Sequence, residues 1–372
     1  MNRRGRAEFA GLSSFTIANV KTWDVIVIGG GIIGLSLSIT LRKRGASVLV
    51  VERGEPGREA SHAAGGMLVD CPLETPPALQ SLATASARMY PEFARELEVE
   101  SGMKVDLRDF GTILALSREQ LQGAPEFAAG NVLPGALDDL EPALVSASGN
   151  PVYLRERSID PRALTTAALK TAKARSVDIS SRDPVTAVDM TDGRVAGITT
   201  TKTSFLAPKV VNCAGAWSGQ IGPHSFPTRP VKGQMLCLLM HPRNLLKHVV
   251  RTPEVYLIPR SDGRLLVGAT VEEAGFDKRT DPDTIQRLHR AALKFVPKLA
   301  DGKILEDWAG LRPGTPDKLP ILGATATPGY YVATGHFRDG ILLAPITAQI
   351  IADVIEGRKP EHDLTPFSPS RF

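Results

Sequence analysis

The sequence predicts an α/β chain, α+β overall, in which a parallel-sheet unit is left and re-entered around an antiparallel sheet. Three observations carry this. A strand–glycine turn–helix–strand run occupies residues 24–52, strand patterns with a hairpin signal fill 231–270, and a strand–turn–helix closes the chain at 330–355. At 372 residues the chain fits two interleaved domains rather than one.

The first run opens with Asp24-Val25-Ile26-Val27-Ile28, almost continuously apolar, as a strand buried on both faces requires. A helix is expected from about Ile32 to Arg44, ended by Gly45, and a second buried strand over Ser47–Val51. Residues 57–67 are small and loop-like, and 76–99 read as helix. Thr112–Leu116 reads as a strand, and 158–174 as a helix with Asp160-Pro161 as N-cap and first turn. Val185–Asp189, Val195–Thr199 and Val210–Asn212 follow as strands. Gln234–Met240, Val255–Pro259 and Leu265–Ala269 read as antiparallel strands, the last two joined across Ser261-Asp262-Gly263. A helix is expected over Pro282–Lys294, then strand Tyr330–Ala333 and a helix from about Ile341 to Ile355, with Ile346, Ile350, Ile351, Val354 and Ile355 on one face.

Composition excludes several classes. Hydrophobic residues are 42% and charged residues 23%, ordinary for a globular chain with a sizeable core. The net charge is +4, and most of it lies in the first 22 residues, where Arg3, Arg4, Arg6 and Lys21 face only Glu8. The remainder has no nucleic-acid footprint. Residues 1–22 lack the apolar core of a secretory signal and are expected to form a disordered tail, although their Arg-rich, Ser-containing composition also fits a transit peptide. The longest apolar stretch, Val25–Ile39, is broken by glycines and does not read as a membrane span. Cys71, Cys213 and Cys237 show neither metal nor disulfide spacing, which points to a reducing, cytoplasmic setting. No metal site is expected.

Gly29, Gly31 and Gly34 satisfy G-x-G-x-x-G between the first strand and its helix, and Glu52 stands 23 residues after Gly29 at the end of the next strand. That full context is the signature of a Rossmann-like dinucleotide-binding unit. Gly29 permits the tight turn, Gly31 lets a pyrophosphate approach, and Gly34 lets helix and strand pack closely. Free N–H groups and the positive helix end then bind the anionic bridge, and Glu52 can accept ribose hydroxyls. The run Ser61-His62-Ala63-Ala64-Gly65-Gly66-Met67 is small enough for its backbone to lie against an extended flat cofactor. Val211-Asn212-Cys213-Ala214-Gly215-Ala216-Trp217 is a second strand and small-residue turn that can approach the adenosine half. Cys213 reads as a small buried hydrophobe and Trp217 as packing.

At these residues the sequence resembles the glycine/D-amino-acid oxidase family of flavoproteins, from Trp23 to about Arg358. Three segments resemble the glycine oxidases of thiamine biosynthesis: Arg58-Glu59-Ala60-Ser61 with Gly66-Met67-Leu68, Trp308 to Asp317, and Gly335 to Pro345. The resemblance implies non-covalent FAD, bound by residues 23–85, 150–222 and 320–372, with a substrate domain from 86–149 and 223–319. Flavin attachment through a C-terminal cysteine, as in sarcosine-oxidase-like enzymes, is not expected because no cysteine follows Cys237. The cofactor set it implies adds Ile33, Arg53 and Val185 to the glycines and Glu52, takes Ser61, Ala63, Ala64, Gly65 and Met67 from the small-residue run, and takes Cys213, Ala214, Gly215 and Trp217 from the second turn. From the last turn it takes His336, Arg338, Asp339, Gly340, Ile341 and Leu342. Arg312 matches the arginine that holds the substrate carboxylate, Tyr256 the tyrosine that assists it, and Arg338 a second active-site arginine. His336 reads as structural rather than as a base, and the last helix is expected to aim its N-terminus, near Gly340, at the flavin pyrimidine ring. Val271 departs from the methionine that some glycine oxidases carry, which leaves substrate breadth open.

The implied reaction oxidises glycine, sarcosine and small D-amino acids to imines, with dioxygen as acceptor, peroxide released and the imine hydrolysed to a 2-oxo acid or used in thiazole formation. Family members are often tetramers, so a homo-oligomer is expected. The alternatives are a D-amino-acid dehydrogenase passing electrons to a quinone, a non-catalytic flavin scaffold, and half of an RNA-modifying enzyme. Retention of Arg312 disfavours the scaffold, and the missing basic face and partner domain disfavour the last.

Overall fold

The computed structural model describes residues 21–145 and 150–372. Residues 1–20 of the expected tail lie outside the described residues. Its last two residues are not a loose end: Lys21 Nζ pairs with Asp178 at 2.7 Å, and Thr22 bridges Leu206.

A six-stranded sheet runs in the order Ile321–Ala324, Tyr330–Thr334, Val210–Asn212, Val25–Ile28, Val48–Val51, Asp178–Ser180. All neighbours are parallel except the first pair. The apolar runs of its central strands have a direct cause. Val25, Val27, Val48 and Val50 pack into a core beneath helices Ile32–Lys43, Gln80–Ser101, Pro161–Ala174 and Ala344–Ile355. Ile26, Ile28, Leu49 and Val51 point the other way, against a small sheet of Val185–Thr191, Arg194–Thr200 and Ser204–Leu206. With both faces covered, alternation disappears from the sequence.

A seven-stranded sheet has the order Lys303–Gly314, Arg229–Leu239, Arg264–Gly268, Tyr256–Pro259, Val249–Arg251, Thr112–Leu116, Asn150–Leu154. One face carries helix Pro282–Phe295, where Leu236, Leu238, Leu257 and Val267 meet Ile285, Leu288 and Phe295. The opposite face carries Met235, Cys237, Ile258 and Leu266 together with Tyr256 and Trp308, and Met67 packs against it. That face looks across at the glycine-rich turn, and the site lies between.

Several elements differ from the sequence reading. Lys303–Gly314 is a twelve-residue strand that periodicity did not suggest. It lies at the sheet edge, so Gly310 and Pro313 are tolerated there and hide the pattern. The last helix begins at Ala344, not Ile341, with Pro345 in its first turn, where a missing N–H costs nothing. Ser158 belongs to a two-residue strand, and the helix after it starts at Pro161, capped by Asp160 through the N–H groups of Arg162 and Ala163. The loop-like run before Met67 contains a short helix, Ala60–Ala63. No helix among the described residues is long and apolar enough to cross a membrane.

Candidate active site

The glycine turn is built by exclusion. Gly29 has φ +108°, and a Cβ there would lie 2.5 Å from the Cys213 carbonyl oxygen. A Cβ on Gly34 would lie 2.0 Å from the Gly29 oxygen, so only glycine lets the helix sit this close to the strand. Gly31 has room except toward Ser61 Oγ, which accepts the Ile32 N–H at 3.0 Å. The helix carries no acid in its first turn, which leaves its positive end available to an anion.

Glu52 is buried and accepts N–H bonds from Gly30 and Gly54, each at 2.8 Å. Burial pushes its carboxyl upward while these two bonds pull it back toward the charged form. Each oxygen keeps a second lone pair for a hydroxyl donor. Beside it the Arg53 guanidinium stacks 4.3 Å from the Trp217 ring, and Phe276 lies 5.1 Å from the same ring. Trp217 packs between these two side chains and lines the cavity. Phe276, from the loop after Gly268, escaped the sequence reading because nothing local distinguishes it.

The small-residue run is pinned between the two sheets. Trp308 Nε1 donates to the Ala63 carbonyl at 3.1 Å, Arg260 Nη2 to Gly65 at 2.5 Å, and Ile159 N–H to Gly66 at 2.8 Å. A Cβ on Gly65 would reach Ile258 Cδ1 at 2.7 Å, and one on Gly310 would strike Ala63 Cβ at 2.4 Å. Arg260 also went unread, although it directly follows Tyr256-Leu257-Ile258-Pro259.

Tyr256, Arg312 and Arg338 converge at the other end. Arg312 Nη1 donates to the carbonyls of Thr270 at 3.1 Å and Lys232 at 3.3 Å, and Gly233 opposite leaves room for its fork, since a Cβ there would lie 2.3 Å away. Among the described residues no carboxylate lies within salt-bridge distance of Arg312 or Arg338. Burial raises the Tyr256 hydroxyl's pKa, and both guanidinia act on it in the opposite direction. The hydroxyl also lies 3.8 Å from the Met235 sulfur.

The last turn is held from behind. Tyr90 Oη donates to the Ile341 carbonyl and Ser86 Oγ to that of Leu342, the latter at 2.6 Å. His336 is buried against Thr347 Oγ1 at 3.1 Å, and burial pushes its imidazole down to about 3, so the ring stays neutral. Asp339 is pushed by burial up to about 6.

One continuous cavity of about 1370 Å³ joins these ends. Its walls include every residue expected to bind cofactor or substrate except Gly34 and Leu342. Gly34 lies beneath the turn, in the packing role expected of it. Leu342 is 1% exposed and packs into the helical core, so its side chain does not reach the cavity. The helix start at Ala344 leaves residues 338–341 of the turn, rather than a helix end at Gly340, facing the cavity. The volume exceeds the roughly 300–1,000 Å³ usual for one compact ligand. No group of metal-binding side chains occurs among the described residues.

The family described as FAD dependent oxidoreductase matches residues 24–354. The bifunctional protein ThiO/ThiG of Nostoc sp. is 35% identical over 362 residues, covering 94% of this chain. This chain spans 55% of that relative's length. Glycine oxidase of Pseudomonas aeruginosa is 32% identical over 359 residues, covering 93% of this chain and 98% of that enzyme. The crystal structure of glycine oxidase from Geobacillus kaustophilus superposes with a TM-score of 0.89 at 30% identity, covering 94% of this chain and 99% of that one. The family match spans nearly the whole chain, from the strand before the glycine turn to the last helix, and the chain therefore belongs to the FAD-dependent oxidoreductases.

Proposed function

We propose that the enzyme oxidises the carbon–nitrogen bond of glycine and other small amino acids, including sarcosine and small D-amino acids, at non-covalently held FAD. The observation that carries this is Arg312: a guanidinium with no carboxylate partner among the described residues, set at the far end of a cavity that begins in a dinucleotide cradle. Its planar fork suits a substrate carboxylate through two parallel bonds. Tyr256 Oη adds a donor beside it, and Arg338 closes the carboxylate from the last turn. Holding the substrate by its carboxylate orients Cα and nitrogen toward the flavin, which converts the reaction into an intramolecular one.

The residues present fit FAD. The Gly29–Gly34 turn and helix end suit the pyrophosphate, Glu52 the ribose, the Arg53–Trp217 wall the adenine, and the backbone of Ser61–Met67 the ring system beside Tyr256. When bound, FAD supplies the acceptor for the two electrons that leave the substrate. Cys71, Cys213 and Cys237 are buried, and burial pushes the thiols of Cys71 and Cys237 up to about 11, which disfavours covalent attachment. Acid precipitation should therefore leave flavin in the supernatant.

We assign cofactor binding mainly to the six-stranded sheet with its helices and substrate binding to the seven-stranded sheet. Relative to the sequence reading, this moves helix Gln80–Ser101 into the first unit and strand Asn150–Leu154 into the second. Dioxygen is the proposed acceptor, the setting cytoplasmic and the assembly a homo-oligomer, tetrameric by family resemblance. The resemblance to thiamine-pathway glycine oxidases supports a role in supplying thiazole formation. Holoenzyme incubated in air with glycine, sarcosine and D-alanine should yield peroxide and 2-oxo acid in near-equal amounts. Flavin bleaching with turnover only after an artificial quinone is added would replace the oxidase with a dehydrogenase.

A further inference from the structure

We propose that Arg260 is a positioning residue for the flavin: its buried guanidinium holds the Gly65 carbonyl against the ring end of the cavity and supplies positive charge that favours the reduced cofactor. The inference rests on the placement of the ring system beside Tyr256 given above.

Arg260 is 1% exposed, the largest of the fully buried side chains. Nη2 donates to the Gly65 oxygen, while Nε and Nη1 are buried without a partner. Among the described residues it has no carboxylate within salt-bridge distance. The acids that act on it from farther away are already committed. Asp160 caps helix Pro161–Ala174 and pairs with Arg264 at 2.6 Å, and Asp106 accepts from the Ser261 backbone and hydroxyl. Burial lowers the guanidinium to about 10, so it remains charged at neutral pH. A buried ion this poorly matched is costly, and a merely space-filling role would be better served by an apolar side chain.

Its one partner shows what the charge is for. Gly65 sits where the two sheets meet: a Cβ there would contact Ile258, Tyr256 and Met235 together. Gly65 lines the cavity, and Arg260 lies directly behind it. The bond fixes the Gly65 backbone on which the ring system rests. In a low-dielectric site the positive charge also stabilises negative charge gained by the flavin on reduction.

The test compares holoenzymes carrying Arg260→Met, Arg260→Gln and Arg260→Lys, read by flavin reduction potential through dye equilibration. Both neutral variants should fall by at least about 30 mV, the two-electron equivalent of a tenfold change, while Arg260→Lys stays near wild type. Gln can still donate to Gly65, so its fall isolates the charge. Retention of FAD by Arg260→Lys alone would also support the role, whereas unchanged potentials, an equal fall in all three or equal loss of FAD in all three would overturn it. Acetate, a glycine lacking its amine, separates this failure from misplacement of the ring. Acetate should perturb the wild-type flavin spectrum and not that of Arg312→Met. If it perturbs neither, the placement beside Tyr256 is wrong.

Discussion

The two ends of the cavity are made in opposite ways. The nucleotide end is a surface of backbone, shaped by glycines whose missing Cβ atoms define the fit and by a Glu52 carboxylate already bonded to two N–H groups. The opposite end is made of side-chain charge: Arg312 and Arg338 stand without acidic partners among the described residues, and both act on the Tyr256 hydroxyl. The first end excludes wrong backbones; the second waits for an anion. Substitutions should therefore separate the two, with steric damage at one end removing flavin and charge removal at the other sparing it.

The largest effect is expected for Gly34→Ala. Its Cβ would sit 2.0 Å from a backbone oxygen that cannot swing aside, so helix and strand must part. FAD affinity should fall by about a hundredfold or more in a fluorescence titration; a yellow variant with native affinity would show that the turn yields more easily than its packing implies.

Arg312→Met comes next and tests the opposite end. Losing a charge-assisted bond worth about 1.5–3 kcal/mol should cut kcat/KM for glycine at least tenfold. Flavin content should not change. Kinetics like those of the wild type would remove Arg312 from the site.

Tyr256→Phe should be milder, because a neutral hydrogen bond contributes about 0.5–1.5 kcal/mol. A two- to tenfold loss in kcat/KM is expected, and a loss as large as that of Arg312→Met would mean that the hydroxyl does more than assist the arginine.

The smallest effect concerns Asp339, whose folded pKa of about 6 lies above its ordinary 3.8 because of burial. The fold thus favours the protonated acid. Its charged form destabilises the protein above pH 6, and this cost disappears as pH falls through 6 toward 4. Asp339→Asn should raise stability at pH 7.5 by about 1 kcal/mol, allowing for solvent screening, and lose the advantage near pH 4. Thermal melts at the two pH values check this, and an advantage independent of pH would assign it to packing instead.

The contrast also explains which parts were readable beforehand. The Gly29–Glu52 unit is contiguous, and each residue's task follows from its neighbours in the chain, so strand, turn, helix and acid were all placed from sequence. Tyr256 and Arg312 lie on strands separated in the sheet by Arg264–Gly268 and Arg229–Leu239, and no local pattern connects them; family resemblance alone had singled them out. Strand Lys303–Gly314 was missed because an edge position admits the glycine and proline that periodicity reads as a break. Leu342 enters the cofactor set through the family resemblance, and its side chain packs into the helical core.

What the sequence determined by itself is therefore the local chemistry of the backbone: where a Cβ is forbidden, where a helix can start, and where a buried strand must be apolar on both faces. Tertiary structure alone decided which charges stay unpaired. Whether Arg312, Arg338 or Arg260 meets an acid depends on residues tens or hundreds of positions away, and in a low-dielectric interior that choice separates a structural ion pair from a binding site.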